Sequence, residues 1–261
     1  MITDQRPATL ATPIVAGIRE IEFASPFDDS AQTFLEKDYR EDTEAEAPLV
    51  VIYLHGAASH QDQGMTSAIY GGAFDRWHET LSSRGAIYIC PEYRGGSWMG
   101  PAAEADLGEI IRLVHERYNV GRLILAGGSM GGTSSLIFAS RQPHRVDGVI
   151  ALCPATDPAA MFSSFSEQFI TAYGGSPDEC PDIYQERRSR DRIADLAKLP
   201  IAIVHGAKDI VIPVEHSRTI VQLLQEADGR ILYIEQPEGD HDAPINASFG
   251  ELLDFVSPVP R

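Results

Sequence analysis

The sequence predicts an α/β fold: a mostly parallel central sheet with helices on both faces and a small helical insertion. Three observations lead there. From Leu49 onward, short continuous apolar runs alternate with amphipathic stretches of helical spacing, the pattern of strands buried on both faces. The run Leu123-Ile-Leu-Ala-Gly-Gly-Ser-Met-Gly-Gly132 passes from an apolar strand through a glycine-rich turn into the small-residue start of a helix. The polar, chemically competent loops all follow strand ends, where open parallel sheets bind their ligands.

With 261 residues the chain has the length of one large domain, 1–261, with a substantial core. Within it, 1–48 is read as N-terminal edge strands and an acidic connector, and 154–199 as a small helical cap. In the first part, Ile14 to Phe23 alternates as a strand, and Gln32 to Tyr39 pairs with it across the Ser25 to Ser30 turn. Glu41 to Glu46 is a solvated acidic connector. Leu49 to Leu54 is the first buried strand and ends at His55-Gly-Ala-Ala58. A helix around Tyr70 to Ser83 carries Phe74, Trp77 and Leu81 on one face, and Ala86 to Cys90 is the next strand. Ala102 to Tyr118 reads as a helix with Leu107, Ile110, Ile111 and Val114 inward. Strands follow at Leu123 to Ala126 and Val149 to Leu152. Pro154 to Leu199 is too long for an ordinary connection, and Met161 to Tyr173 and Ile183 to Ala197 in it are helix-compatible. Ile201 to Val204 and Ile231 to Ile234 are the last strands, with a helix from Val214 to Glu226 between them and a closing helix from Phe249 to Val256.

Composition excludes several classes. A formal net charge of −17 opposes nucleic-acid or anionic-membrane partners, which need basic patches. No apolar run reaches the roughly 20 residues that span a bilayer, and Met1-Ile-Thr-Asp-Gln-Arg-Pro7 is no signal peptide, so a cytoplasmic location is expected. Cys90, Cys153 and Cys180 are odd in number and widely spaced, as reduced structural thiols are.

Gly127-Gly-Ser-Met-Gly131 has the G-x-S-x-G form of a nucleophile elbow, which places Ser129 at the apex of a sharp strand-to-helix turn. The N–H of Met130, at the start of the next helix, then faces a developing oxyanion, and Ala57 in the His55-Gly56-Ala57 loop is the expected second donor. A nucleophilic serine needs a base and an orienting acid, in the chain order serine, acid, histidine on this kind of scaffold. Among the downstream histidines, His205 ends an apolar strand and His216 opens a surface helix, whereas His241 sits in the polar turn Pro237 to Asp242 after the final strand and is the expected base. Asp209, after the preceding strand, is favoured as the acid over Asp157. Asp240 and Asp242 adjoin His241 but read as turn-formers.

The elbow, the ordered Asp209 and His241, and the His55-Gly56 loop resemble the α/β-hydrolase superfamily. Within it, Glu92-Tyr-Arg-Gly-Gly-Ser-Trp-Met-Gly100, Tyr173-Gly-Gly-Ser-Pro177 and Pro200-Ile-Ala-Ile-Val-His-Gly-Ala-Lys-Asp-Ile-Val-Ile-Pro213 are similar to the catalytic domain of the prolyl oligopeptidase family, from about Leu49 onward. The resemblance implies a Ser129, His241, Asp209 triad, with Tyr93, Arg94 and Trp98 as substrate-binding residues. Peptidases of that family generally carry a β-propeller, where only 48 weakly patterned residues precede the hydrolase pattern here, and the oxyanion loop reads His-Gly-Ala-Ala. The expected activity is therefore that of a serine hydrolase of small carboxylic esters, acting through an acyl-enzyme with no metal or organic cofactor. An aminopeptidase or acylaminoacyl-peptidase-like activity is the alternative, which an acidic anchor such as Glu92 or Glu104 at the site favours; a non-catalytic binding protein on a hydrolase fold is another. The expected partner is a small-molecule ester, with a homo-oligomer open.

Overall fold

A computed structural model describes residues 1–40, 47–66 and 70–258. They build a nine-stranded sheet from β1 (Ile2–Pro7), β2 (Arg19–Ala24), β3 (Ala31–Asp38), β4 (Leu49–Leu54), β5 (Ile87–Pro91), β6 (Arg122–Gly128), β7 (Gly148–Leu152), β8 (Ile201–Gly206) and β9 (Ile231–Gln236). The spatial order is β1-β2-β3-β5-β4-β6-β7-β8-β9. The first three strands and β5 pair antiparallel, and every pair from β5-β4 to β8-β9 is parallel.

Successive side chains of the buried strands enter opposite cores. Val50, Ile52 and Leu54 of β4 join a core with α2 (Pro101–Arg117), α3 (Met130–Arg141) and α7 (Glu215–Glu226). Val51 and Tyr53 join a second core with α1 (Ala73–Ser83) and α8 (Phe249–Val256), where Trp77 and Phe249 stack at 3.8 Å between ring centroids. Both faces are thus covered, which is why the strands read as unbroken apolar runs. Between β7 and β8 lie α4 (Pro158–Tyr173), α5 (Pro181–Glu186) and α6 (Ile193–Leu196). Among the described residues no helix is long and apolar enough to cross a membrane.

The structure departs from expectation in three places. β1 is an added edge strand; five of its six residues are exposed, so no apolar alternation marked it. The strand placed from Ile14 begins only at Arg19, because Gly17 has a φ of +75° and interrupts the extended chain. The helix expected over Ile183 to Ala197 is two short helices, α5 and α6, separated by a turn at Ser189–Asp191. The expected Glu41 to Glu46 connector lies outside the described residues.

One buried cluster fastens the antiparallel strands to the rest. Glu36 of β3 is fully buried and accepts from Arg19 of β2, from Arg117 of α2 at 2.7 and 3.0 Å, and from the Tyr118 hydroxyl at 2.9 Å.

Candidate active site

Ser129 stands at the tip of β6 with φ +57° and ψ −119°, a strained backbone for a residue with a Cβ. Its N–H is anchored on Leu152 O of the neighbouring β7 at 2.8 Å. The glycines around it have separate duties. A Cβ on Gly131 falls 1.9 Å from Leu54 O, and one on Gly127 falls 2.5 Å from the Gly131 backbone, so the first turn of α3 presses on the strand ends with no room for a side chain. A Cβ on Gly128 meets nothing nearer than 3.9 Å.

Across from the serine, His241 Nε2 lies 3.0 Å from Ser129 Oγ, and its Nδ1 lies 2.7 Å from Asp209 Oδ2. An ionised carboxylate only accepts, so Nδ1 carries the hydrogen and Nε2 is left to accept from the serine hydroxyl. The loop that delivers His241 rests directly on the end of β8. A Cβ on Gly206 falls 2.2 Å from Asp240 O, while Lys208 N–H donates to Gly239 O at 2.8 Å and Ala207 N–H to Gln236 O at 2.9 Å.

Asp209 is held from several sides. Its Oδ1 accepts from the N–H groups of Val211 at 2.8 Å and Ile212 at 2.9 Å, and its Oδ2 lies 3.2 Å from His205 Nε2 as well as near His241. The buried His205 is itself oriented, with Nε2 on Ile212 O at 2.9 Å and Nδ1 on Ser217 Oγ at 2.7 Å. Burial disfavours the Asp209 charge, but the bonds from His205, His241 and Ile212 outweigh it and hold the carboxyl well below the usual carboxylate range. Burial likewise disfavours a charged His241, and the bond to Asp209 and the neighbouring Cys153 overcome this and lift its pKa above the ordinary histidine value.

On the other side of the serine, the N–H groups of Ala57 and Met130 are engaged by no other group among the described residues. Their surroundings are built by two glutamines that nothing in the local sequence marks. Gln63 Oε1 accepts from Gly56 N–H at 3.0 Å and from the Tyr53 hydroxyl at 3.1 Å. Gln168 of α4 donates through Nε2 to Ala57 O at 3.3 Å, so the insertion reaches this loop. His55 turns away, with its ring nitrogens on Gly56 O and Glu92 O.

A cavity of about 30 Å³ adjoins Ser129 and His241, with Tyr53, Tyr70, Leu152, Cys153, Asp242 and Ile245 in its wall. None of Tyr93, Arg94 and Trp98 stands in its wall. Tyr93 is buried and donates its hydroxyl to His55 O at 2.6 Å. The Arg94 guanidinium is consumed by Asp106 at 2.6 Å and Asp28 at 2.7 Å. Trp98 is fully buried, stacks on Phe169 and donates to Gln168 Oε1 at 2.7 Å. All three brace the Glu92 to Gly100 loop, whose Tyr93, Arg94, Trp98 and Met99 adopt positive φ.

Asp157 does not approach His241. It caps α4 by accepting from Ala159 N–H at 3.1 Å and pairs with Arg188 and Arg190. His216, expected at the surface, instead packs against Thr156, and burial lowers its pKa. Glu104 is held by Arg141 and Arg187, and Glu92 by His60 and Gln61 N–H. Cys153, read from sequence as a structural thiol, turns out of β7 with φ +40° and donates to His241 O at 3.4 Å. Its place in the strand order, one strand over from the elbow, was the available signal.

A mostly parallel sheet with a serine elbow after one strand and an aspartate and a histidine after later ones is the arrangement of the α/β-hydrolase fold. The chain belongs to the prolyl oligopeptidase family, whose profile matches residues 73–256. The uncharacterized protein YfhR of Escherichia coli K12 is 28% identical over 177 residues, covering 63% of this chain and 58% of that protein, so the match spans less than two thirds of the relative. Among solved structures, a puromycin-hydrolyzing peptidase of Mycobacterium tuberculosis superposes with a TM-score of 0.74 at 19% identity, over 95% of this chain and 41% of that one. An S-formylglutathione hydrolase from Agrobacterium tumefaciens superposes with a TM-score of 0.70 at 17% identity over 97% of both chains. At these identities the structural likeness is one of fold.

Proposed function

We propose that the protein hydrolyses small carboxylic esters through an acyl-enzyme on Ser129. The observation that carries this reading is the hydrogen-bonded chain from Asp209 through His241 to Ser129, at 2.7 and 3.0 Å, ending on a strained serine backbone. His241 takes the hydroxyl proton as Ser129 Oγ attacks the ester carbonyl, and Asp209 stabilises the imidazolium. The Ala57 and Met130 N–H groups bind the oxyanion of the tetrahedral intermediate. The imidazolium then protonates the leaving alcohol, and water repeats the cycle on the acyl-serine.

The narrow cavity beside Ser129 and His241, about 30 Å³, supports a small substrate group. Neither Glu92 nor Glu104 stands in its wall to anchor a peptide amine. One observation favours a second reading, an aminoacyl substrate: the exposed carboxylate of Asp242 borders the cavity and suits a free ammonium group. The three cysteines are unpaired, consistent with a cytoplasmic protein.

The test is a rate comparison of wild type and Ser129→Ala on p-nitrophenyl esters of increasing acyl length, beside an aminoacyl p-nitroanilide. The expected result is ester turnover that falls with acyl length and drops by about 10⁴-fold or more in the variant. Anilide turnover exceeding ester turnover would transfer the protein to the aminoacyl reading, and equal ester rates in variant and wild type would end both.

A further inference from the structure

We propose that Cys153, Asp209 and His241 form a binding site for a thiophilic divalent cation such as Zn²⁺, and that the bound ion switches the hydrolase off. The inhibitory part rests on the esterase reading above; the binding part does not.

The three side chains offer a sulfur, a nitrogen and an oxygen, all within 4.8 Å of one another. Zinc bound at about 2.3 Å to sulfur and about 2.0–2.2 Å to nitrogen and oxygen sets tetrahedral ligand atoms about 3.3–3.6 Å apart. Closing from the observed spread asks for a movement of roughly 1 Å or less on each side. The set mixes a soft thiolate with imidazole and carboxylate, the donors that zinc and its neighbours prefer over magnesium or calcium. Two of the three ligands are already aimed. Asp209 is fixed by the Val211 and Ile212 N–H groups and by His205, and Cys153 Sγ is held at the His241 backbone. The fourth position has somewhere to open, because Cys153 and His241 share the wall of the cavity that reaches Ser129.

The consequence for catalysis follows from one proton. His241 meets Asp209 through Nδ1, so an ion bridging the two takes that nitrogen. The Cys153 thiol proton goes to solvent, and the hydrogen that Nδ1 carried moves to Nε2. An Nε2 that bears hydrogen faces Ser129 Oγ as a donor and cannot receive the serine proton. The imidazole can stay in place and the base is still lost, as when the wrong tautomer is imposed on a serine-hydrolase histidine. The ion is an inhibitor here, with no step of the reaction assigned to it.

Two measurements on the full chain test this. The first is the absorption spectrum on adding Co²⁺, in which a thiolate ligand produces a sulfur-to-cobalt charge-transfer band. The band is expected in wild type and in Cys180→Ala, the control for the half-exposed third cysteine, and is expected to vanish in Cys153→Ala. The second is Zn²⁺ inhibition of p-nitrophenyl acetate turnover, each protein measured against its own zinc-free rate. Wild type should be inhibited and recover with EDTA, and Cys153→Ala should need at least about 10-fold more zinc. A wild type without the thiolate band, a band that disappears with Cys180 instead, or equal zinc sensitivity in Cys153→Ala would each overturn the proposal. Should the protein turn over no ester at all, the cobalt spectrum alone still decides the site.

Discussion

Asp209 and Asp157 are both buried aspartates that follow parallel strands, and their surroundings assign them different work. Asp209 faces His241 at 2.7 Å, whereas Asp157 spends its oxygens on a helix cap and two arginines. Asp209→Asn is therefore expected to lower kcat by about 10⁴-fold, through loss of the Nδ1–H tautomer. Asp157→Asn should keep kcat within a few-fold and lower stability by about 1–3 kcal/mol, read as a urea midpoint shift. The pH dependence carries a sign. His241 acts as a base only when neutral, and its pKa is raised, so kcat/KM should fall as pH drops through a value above the ordinary 6.5. In Asp209→Asn the acid limb should move to lower pH. Ser129, Asp209 and His241 were legible from sequence because each is marked by its immediate neighbours: a glycine elbow, a strand-to-turn aspartate, a polar turn after the last strand. Gln63, Gln168 and Cys153 were not, since their importance comes from which distant backbone they meet. For Arg94 and Trp98 the partners were illegible, because a polar loop after a strand reads the same whether its side chains face a ligand or each other.

At the scale of the element, the elbow works by contact of backbone with backbone. Three glycines of the Gly127, Gly128, Gly131 set look alike in sequence, and the structure separates them. Gly131→Ala is expected to cost at least about 3 kcal/mol or to prevent folding, because the added Cβ lies 1.9 Å from Leu54 O. Gly128→Ala should stay within about 1 kcal/mol of wild type in a urea titration. Strands buried on both faces and long helices were readable because their periodicity is set by burial. The edge strand β1 was not, since an edge that faces solvent has no apolar face to betray it. The pair α5 and α6 reads as one helix in pattern, and only packing of the intervening Ser189, fully buried, shows the break.

At the scale of the whole molecule, the antiparallel strands are tied to the parallel sheet by charge as well as by backbone pairing. Glu36→Gln leaves Arg19 and Arg117 facing a neutral amide in a buried position, and a loss of about 3 kcal/mol in unfolding free energy is expected. Ester turnover per folded molecule should be unchanged, as the cluster lies at β3 and α2 and touches none of the residues around Ser129.

The order of the last four strands has a further consequence for biosynthesis. Ser129, Cys153, Asp209 and His241 follow β6, β7, β8 and β9, which lie side by side in that same order. A ribosome therefore delivers the groups in the order in which the sheet sets them side by side, Ser129 first and His241 last. The hydrogen-bonded chain from Asp209 through His241 to Ser129 can close only once the last-made strand, β9, has docked against β8.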